Sequence, residues 1–162
     1  MAFEDLLGDG NVKVTAVLTL SSTSAPPAAE LNAGIDLQML LTKDGLGIEP
    51  SQASVDNGAL GSRSNTSRGG TSTYNITLTY KRKQLEADDI AYNTLTPKLD
   101  IWLAVRRNKA HELPYVAGDP VEIYPSECGI YQRQPPVLDE VQKIVQQMFN
   151  HSDADTEATV AA

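Results

Sequence analysis

Across residues 71–80 polar and apolar side chains alternate one for one, with Thr73, Asn75, Thr77 and Thr79 against Tyr74, Ile76, Leu78 and Tyr80. A period of two with one apolar face predicts a half-buried β-strand. The segment leading into it has no period. Residues 57–70 are Gly, Ser, Asn, Thr and Arg around one Leu and one Ala, and they read as a long polar loop. Compact domains rarely carry more than about 12 to 15 unstructured residues unless the segment is functional or a linker. This one lacks catalytic residue types, so it points to contact with another molecule.

The pattern elsewhere repeats the strand signal. Residues 1–11 read as an N-terminal arm, with Gly8-Asp9-Gly10 turning into a strand over 12–20, where Val12, Val14, Ala16, Leu18 and Leu20 share a face. Pro26 and Pro27 mark a connector over 21–29. The short apolar run 35–41 fits strand or buried helix equally, and Lys43-Asp44-Gly45 follows as a turn. Lys81-Arg82-Lys83 is a solvated strand end that resists edge pairing. Asp88 and Asp89 ahead of Ile90-Ala91-Tyr92 predict an N-capped short helix that Pro97 terminates. Residues 99–106 are apolar on both faces, as in a central or interfacial strand, with Trp102 as its largest buried contributor. Short strands are expected at 121–124 and 128–131. Over 137–150, Val137, Leu138, Val141, Ile144, Val145, Met148 and Phe149 lie on one helical face, while Val141, Val145 and Phe149 also share a strand face. The last stretch, 151–162, holds Asp153, Asp155 and Glu157 among small residues and reads as a flexible C-terminal tail. Scarce helical period and recurring Thr, Val, Ile and Tyr runs make this a mostly β chain of one domain.

Charge narrows the function more than it narrows the fold. A formal net charge of −8 argues against a protein that grips nucleic acid, because phosphate binding draws on clustered Lys and Arg. The single Cys128 rules out an internal disulfide framework and fits assembly in a reducing compartment. The amino terminus shows no basic start followed by an apolar run, and no 18-residue apolar stretch exists. His111 and His151 each stand apart from any second His or Cys, so no metal site is expected. Cys128 sits in a strand pattern and reads as a small buried hydrophobe. No nucleophile elbow, phosphate loop or dinucleotide glycine pattern occurs, and no catalytic residue or cofactor is assigned.

Several phrases, in order and spacing, carry a resemblance. Leu31-Asn-Ala-Gly-Ile-Asp-Leu-Gln, Leu41-Thr-Lys-Asp-Gly-Leu with Val55-Asp-Asn, Leu103-Ala-Val-Arg-Arg107, Gly118-Asp-Pro-Val-Glu-Ile-Tyr-Pro125 with Cys128-Gly129, and Glu140-Val-Gln-Lys143 together resemble the major tail tube proteins of long-tailed bacteriophages, particularly those of actinobacteria. The resemblance implies two packed β-sheets with one short flanking α-helix and makes 141–149 a strand. It further implies a structural virion protein that is not an enzyme, assembled in the host cytoplasm as hexameric rings stacked into a tail tube through which DNA passes. Tape measure and terminator proteins are its implied partners beside further copies of itself. The long loop and terminal arms contact the neighbouring ring in that family. The matching segment here is 55–73, with Asn57, Arg63, Asn65 and Arg68 as contact residues, and Asp36, Asp44, Glu49 and Glu122 are candidate lumen acids. Two other classes remain as alternatives: a β-sandwich binding module on a virion or cell surface, and a hydrolase with a pocket near Asp88, Asp89 or His111.

Overall fold

β5 (Asp100–Arg106) is apolar on both faces, and the computed structural model, which describes residues 4–162, buries both. It lies between β1 (Lys13–Val17) and β6 (Pro120–Cys128), antiparallel to each. The remaining strands are β2 (Ile35–Asp36), β3 (Leu41–Asp56), β4 (Ser67–Lys81), β7 (Gln132–Arg133), β8 (Lys143–Asn150) and β9 (Asp155–Thr159). One antiparallel sheet joins them in the order β2-β1-β5-β6-β8-β4-β3, with β7 on β8 and β9 on β6.

The mostly β expectation holds, with every strand in one hydrogen-bonded sheet. That sheet folds over itself, because inward residues of β1, β5 and β6 share a core with those of β4 and β8. Val14, Ile101, Leu103, Tyr124, Ile76, Leu78, Ile144 and Met148 form one cluster, which also takes in Ala91 and Leu95. The opposite face of β1, β5 and β6 holds a second cluster of Val17, Leu31, Ala104, Tyr115, Val121, Ile123, Ala158 and Val160. β5 serves both cores, which is why its two faces are apolar. Two short helices flank the sheet rather than one. α1 (Ala28–Asn32), inside the expected connector, seats Leu31 in the second cluster, and α2 (Ile90–Thr94) seats Ala91 in the first. Asp89 precedes α2 but makes no capping bond; its carboxylate accepts from Arg82 Nε at 2.5 Å.

Several expectations are corrected. Over 137–150 the helical period gives way to the strand that the resemblance implies for 141–149: β8 spans Lys143–Asn150, and its buried face is Ile144, Gln146 and Met148. β6 runs unbroken through Pro125, which pairs with Trp102, so the two short strands at 121–124 and 128–131 are replaced by one strand ending at Cys128. Trp102 is half-buried with its ring perpendicular to that of His151, and the largest fully buried side chains among the described residues are Arg106, Tyr80, Tyr115 and Tyr124. The tail expected over 151–162 is structured. β9 pairs with β6, Ala158 and Val160 are buried, and Ala161 bridges Pro27, because Glu157 and Thr159 face outward while Ala158 and Val160, alternating with them, fit the second cluster. Of the expected arm, residues 4–11 form no strand or helix, Gly10 O accepts from His111 N at 2.9 Å, and Met1, Ala2 and Phe3 lie outside the described residues.

Candidate functional site

β3 and β4 are far longer than the other strands, and only their proximal parts touch the body. β4 pairs with β8 from Ile76 to Lys81, and beyond that point only β3 accompanies it. Every residue from 49 to 69 is exposed. At about 3.3 Å per residue, β3 from Glu49 to Asp56 projects roughly 25 Å. The segment 55–73, expected as a loop, is therefore the end of a hairpin arm: Val55 opposes Arg68 and Asp56 opposes Ser67 within the strands, and 57–66 forms the tip outside them. Alternation is invisible there because Ser, Thr, Gly and Gln occupy both faces, and neither face buries anything.

Local chemistry shapes this arm. The register shifts between Gln52, which opposes Ser72, and Ser54, which opposes Gly69, so Ala53 faces both Gly70 and Thr71. A Cβ on Gly70 would stand 2.9 Å from Val55 Cγ2 and 3.2 Å from the Ala53 carbonyl, so glycine lets the strands close there. Gln52 Nε2 donates to Gly70 O at 3.2 Å. At the tip, Asp56 Oδ1 accepts from Gly58 N at 2.8 Å, Asn57 N donates to Thr66 O at 3.2 Å, and Ser62 Oγ donates to Ser64 O at 2.7 Å. Asn57, Arg63 and Asn65 sit in this tip, and Arg68 sits on β4 just below it. The structure brings these four to one end of one hairpin. Arg63 and Arg68 have no carboxylate within 4.0 Å among the described residues.

The four candidate acids are not gathered. Asp36, on β2, accepts from Thr15 Oγ1 at 2.9 Å and pairs with Lys13 Nζ at 3.2 Å. Glu122, on β6, pairs with Arg107 Nε at 2.5 Å and accepts from the Tyr124 hydroxyl at 2.9 Å. Among the described residues Asp44 accepts only from Thr42 Oγ1, at 3.2 Å, and Glu49 faces Asn75 across the hairpin. No cation lies within 4.0 Å of Asp44 or Glu49 among the described residues.

Sequence reasoning missed a buried polar knot beneath the loop 107–119. Arg106, fully buried at the end of β5, donates to Ala110 O, Leu113 O and Pro114 O at 2.8–2.9 Å and to Asp119 Oδ2 at 3.3 Å. Asp119 also accepts from Lys109 and from Val116 N. Burial alone would raise the Asp119 carboxyl, but the hydrogen bonds from Lys109 and Val116 and the nearby charges of Lys109 and Arg106 hold it below the usual carboxylate range. The signal available in sequence was Arg106 at an inward position of an otherwise apolar strand. Cys128 is buried, and desolvation, with Asp100 and Glu127 nearby, pushes its thiol up to about 12, the reverse of an activated nucleophile. Among the described residues no group of three or more His, Cys, Asp or Glu is placed to hold a metal ion.

A projecting polar hairpin on a curled antiparallel sheet is a shape for assembly, and the family comparison agrees. The model of a family described as phage tail tube protein matches residues 1–162. The chain belongs to that family. This tail tube protein is accordingly a structural, non-enzymatic component of a phage tail. Among solved structures, it is similar to a chain in a cryo-EM structure of the anti-feeding prophage baseplate, at 8% identity and TM-score 0.59 over 96% of each chain. At that identity the likeness is one of fold. A comparison with curated proteins returns no match.

Proposed function

We propose that six copies of this chain close into a ring, that rings stack into the hollow tube of a long phage tail, and that each hairpin arm reaches the neighbouring ring. The arm carries the reading. It exposes every residue from 49 to 69 and leaves the outer edge of β3 and the distal edge of β4 unpaired. A two-stranded hairpin is marginal by itself in water, and open edges call for partners. Ring closure and stacking provide them for every copy at once. Asn57, Arg63 and Asn65 at the tip and Arg68 beside it meet the next ring, and the two arginines pair with its carboxylates.

The charge of −8 per copy suits a conduit through which DNA slides without lasting phosphate contacts. Asp44 and Glu49 are the stronger lumen candidates, since Asp36 and Glu122 are each answered by a cation. Assembly takes place in the host cytoplasm, with a tape measure protein inside the tube and a terminator at its end.

Electron microscopy of the purified protein, dilute and concentrated, tests this. Tubes of uniform diameter are expected on concentration, and globular particles under every condition would overturn the reading. Replacing residues 57–66 by Asn-Gly should abolish tube growth while moving stability by no more than about 0.5 kcal/mol, as for a surface change. Tubes that still grow would remove the arm tip from the mechanism.

A further inference from the structure

The N-terminal start of β1, the start of β3 and the loop before β8 leave between them an open groove of about 1010 Å³. Val14 and Leu41 belong to its apolar floor, with Val12 and Leu46 beside them. Its rim carries Lys43, Lys81, Arg107 and Lys143 against the carboxylates of Asp9 and Glu140. Arg107 is answered by Glu122 at 2.5 Å and Lys143 by Glu140 at 3.1 Å. Lys43 and Lys81 have no carboxylate within 4.0 Å among the described residues. A channel with an apolar floor and two uncommitted cations is out of character for a chain of net charge −8.

The complementary chemistry is an extended segment carrying adjacent acids and aliphatic side chains. This chain has one in Glu4-Asp5-Leu6-Leu7, where all four residues are exposed, the leucines at 68% and 65%. Its own groove does not hold it. Gly8, Asp9 and Gly10 form part of the groove wall, and Gly10 O is fixed by His111 N at 2.9 Å, but residues 4–7 are not among those lining it. Resting on the reading that copies of this chain assemble with one another, we infer that this groove receives residues 4–7 of a second copy, with Lys43 and Lys81 facing Glu4 and Asp5 and with Leu6 and Leu7 on the apolar floor. The leucines supply buried area and the charges set register and partner choice, the usual division in a polar-rimmed interface.

Paired charge reversals test it in the full chain. K43E/K81E reverses the groove and E4K/D5K reverses the segment, and far-UV circular dichroism with thermal melts verifies that each variant folds like the parent. Each alone should raise the concentration needed for assembly roughly tenfold or more. An equimolar mixture of the two should return that concentration to within about threefold of the parent's, because reversed segments find reversed grooves on the other chain and parent-type segments find parent-type grooves. The inference is overturned if either reversal leaves assembly unchanged. It is also overturned if a single chain carrying both reversals assembles while the mixture does not, which places the segment in its own groove. The parent chain in the same microscopy reads the tube separately. Parent tubes with inert reversals refute the groove and leave the tube standing; a parent that forms no tubes but self-associates through matched charges in sedimentation equilibrium refutes the tube and supports the groove.

Discussion

Replacing Asp119 by alanine removes one partner of a buried ion pair and leaves the other in place. Arg106 is 0% exposed and Asp119 3% exposed, so the guanidinium cannot turn to water when the carboxylate goes. Breaking a buried pair in this way costs about 3–5 kcal/mol. Three carbonyls continue to accept from Arg106, which places the expected loss near the lower limit, about 3 kcal/mol. For a domain of this size that lowers Tm by roughly 6–12 °C. Urea titration followed by circular dichroism, with the slope m unchanged, measures it. The Asp119 carboxyl is held below its ordinary value in the fold, so its contribution is present above the unfolded-state pKa of about 3.9 and disappears as pH falls through the folded value. The stability gap between parent and D119A should therefore be full near pH 7 and shrink steadily below about pH 4. A gap under about 1 kcal/mol at neutral pH, or one that stays constant into acid, would refute the account of Arg106 as a charge dependent on this carboxylate.

Gln146 offers an independent measurement in the other half of the sheet. Its buried amide donates to Leu95 O and Gly129 O at 2.8 Å and accepts from the Tyr80 hydroxyl at 3.2 Å. Q146L strands all three groups and should cost at least about 3 kcal/mol by urea titration, since each buried unsatisfied polar group costs about 1–3. Truncation after Ser152 removes β9 and uncovers the Val17, Leu31 and Ile123 cluster. The shortened chain should lose cooperative thermal unfolding or melt at least about 10 °C lower, and a melt unchanged from the parent's would refute the packing of β9.

The strands with the plainest pattern were legible, β1, β4 and β5 among them, because β4 buries one face where it meets the body and β1 and β5 bury both. Three things hid the rest. Ala158 and Val160 are small and lie among acids, so the strand that closes the second cluster looked like solvated tail. On β8, a glutamine occupies a core position and breaks the apolar alternation of Ile144 and Met148, so periodicity alone pointed to a helix and the strand over 141–149 came from the family resemblance. The arm residues 49–56 and 67–73 form strands without any buried face, so periodicity had nothing to register; only their pairing across the hairpin defines them. At the candidate site, the tip residues named from sequence do share one location. The acids do not, because a one-dimensional pattern carries no information on which carboxylates have cations folded beside them.

The bare arm also separates two traits that usually constrain each other. Substitutions along residues 49–69 fall on exposed positions, so their effects on folding and those of changes in the body add nearly independently. Variation there is hidden from any assay of folding and visible only to selection on what the arm meets. A lineage carrying this fold can drift through many arm sequences, changing which neighbours it recognises, while the domain that presents the arm stays as stable as before.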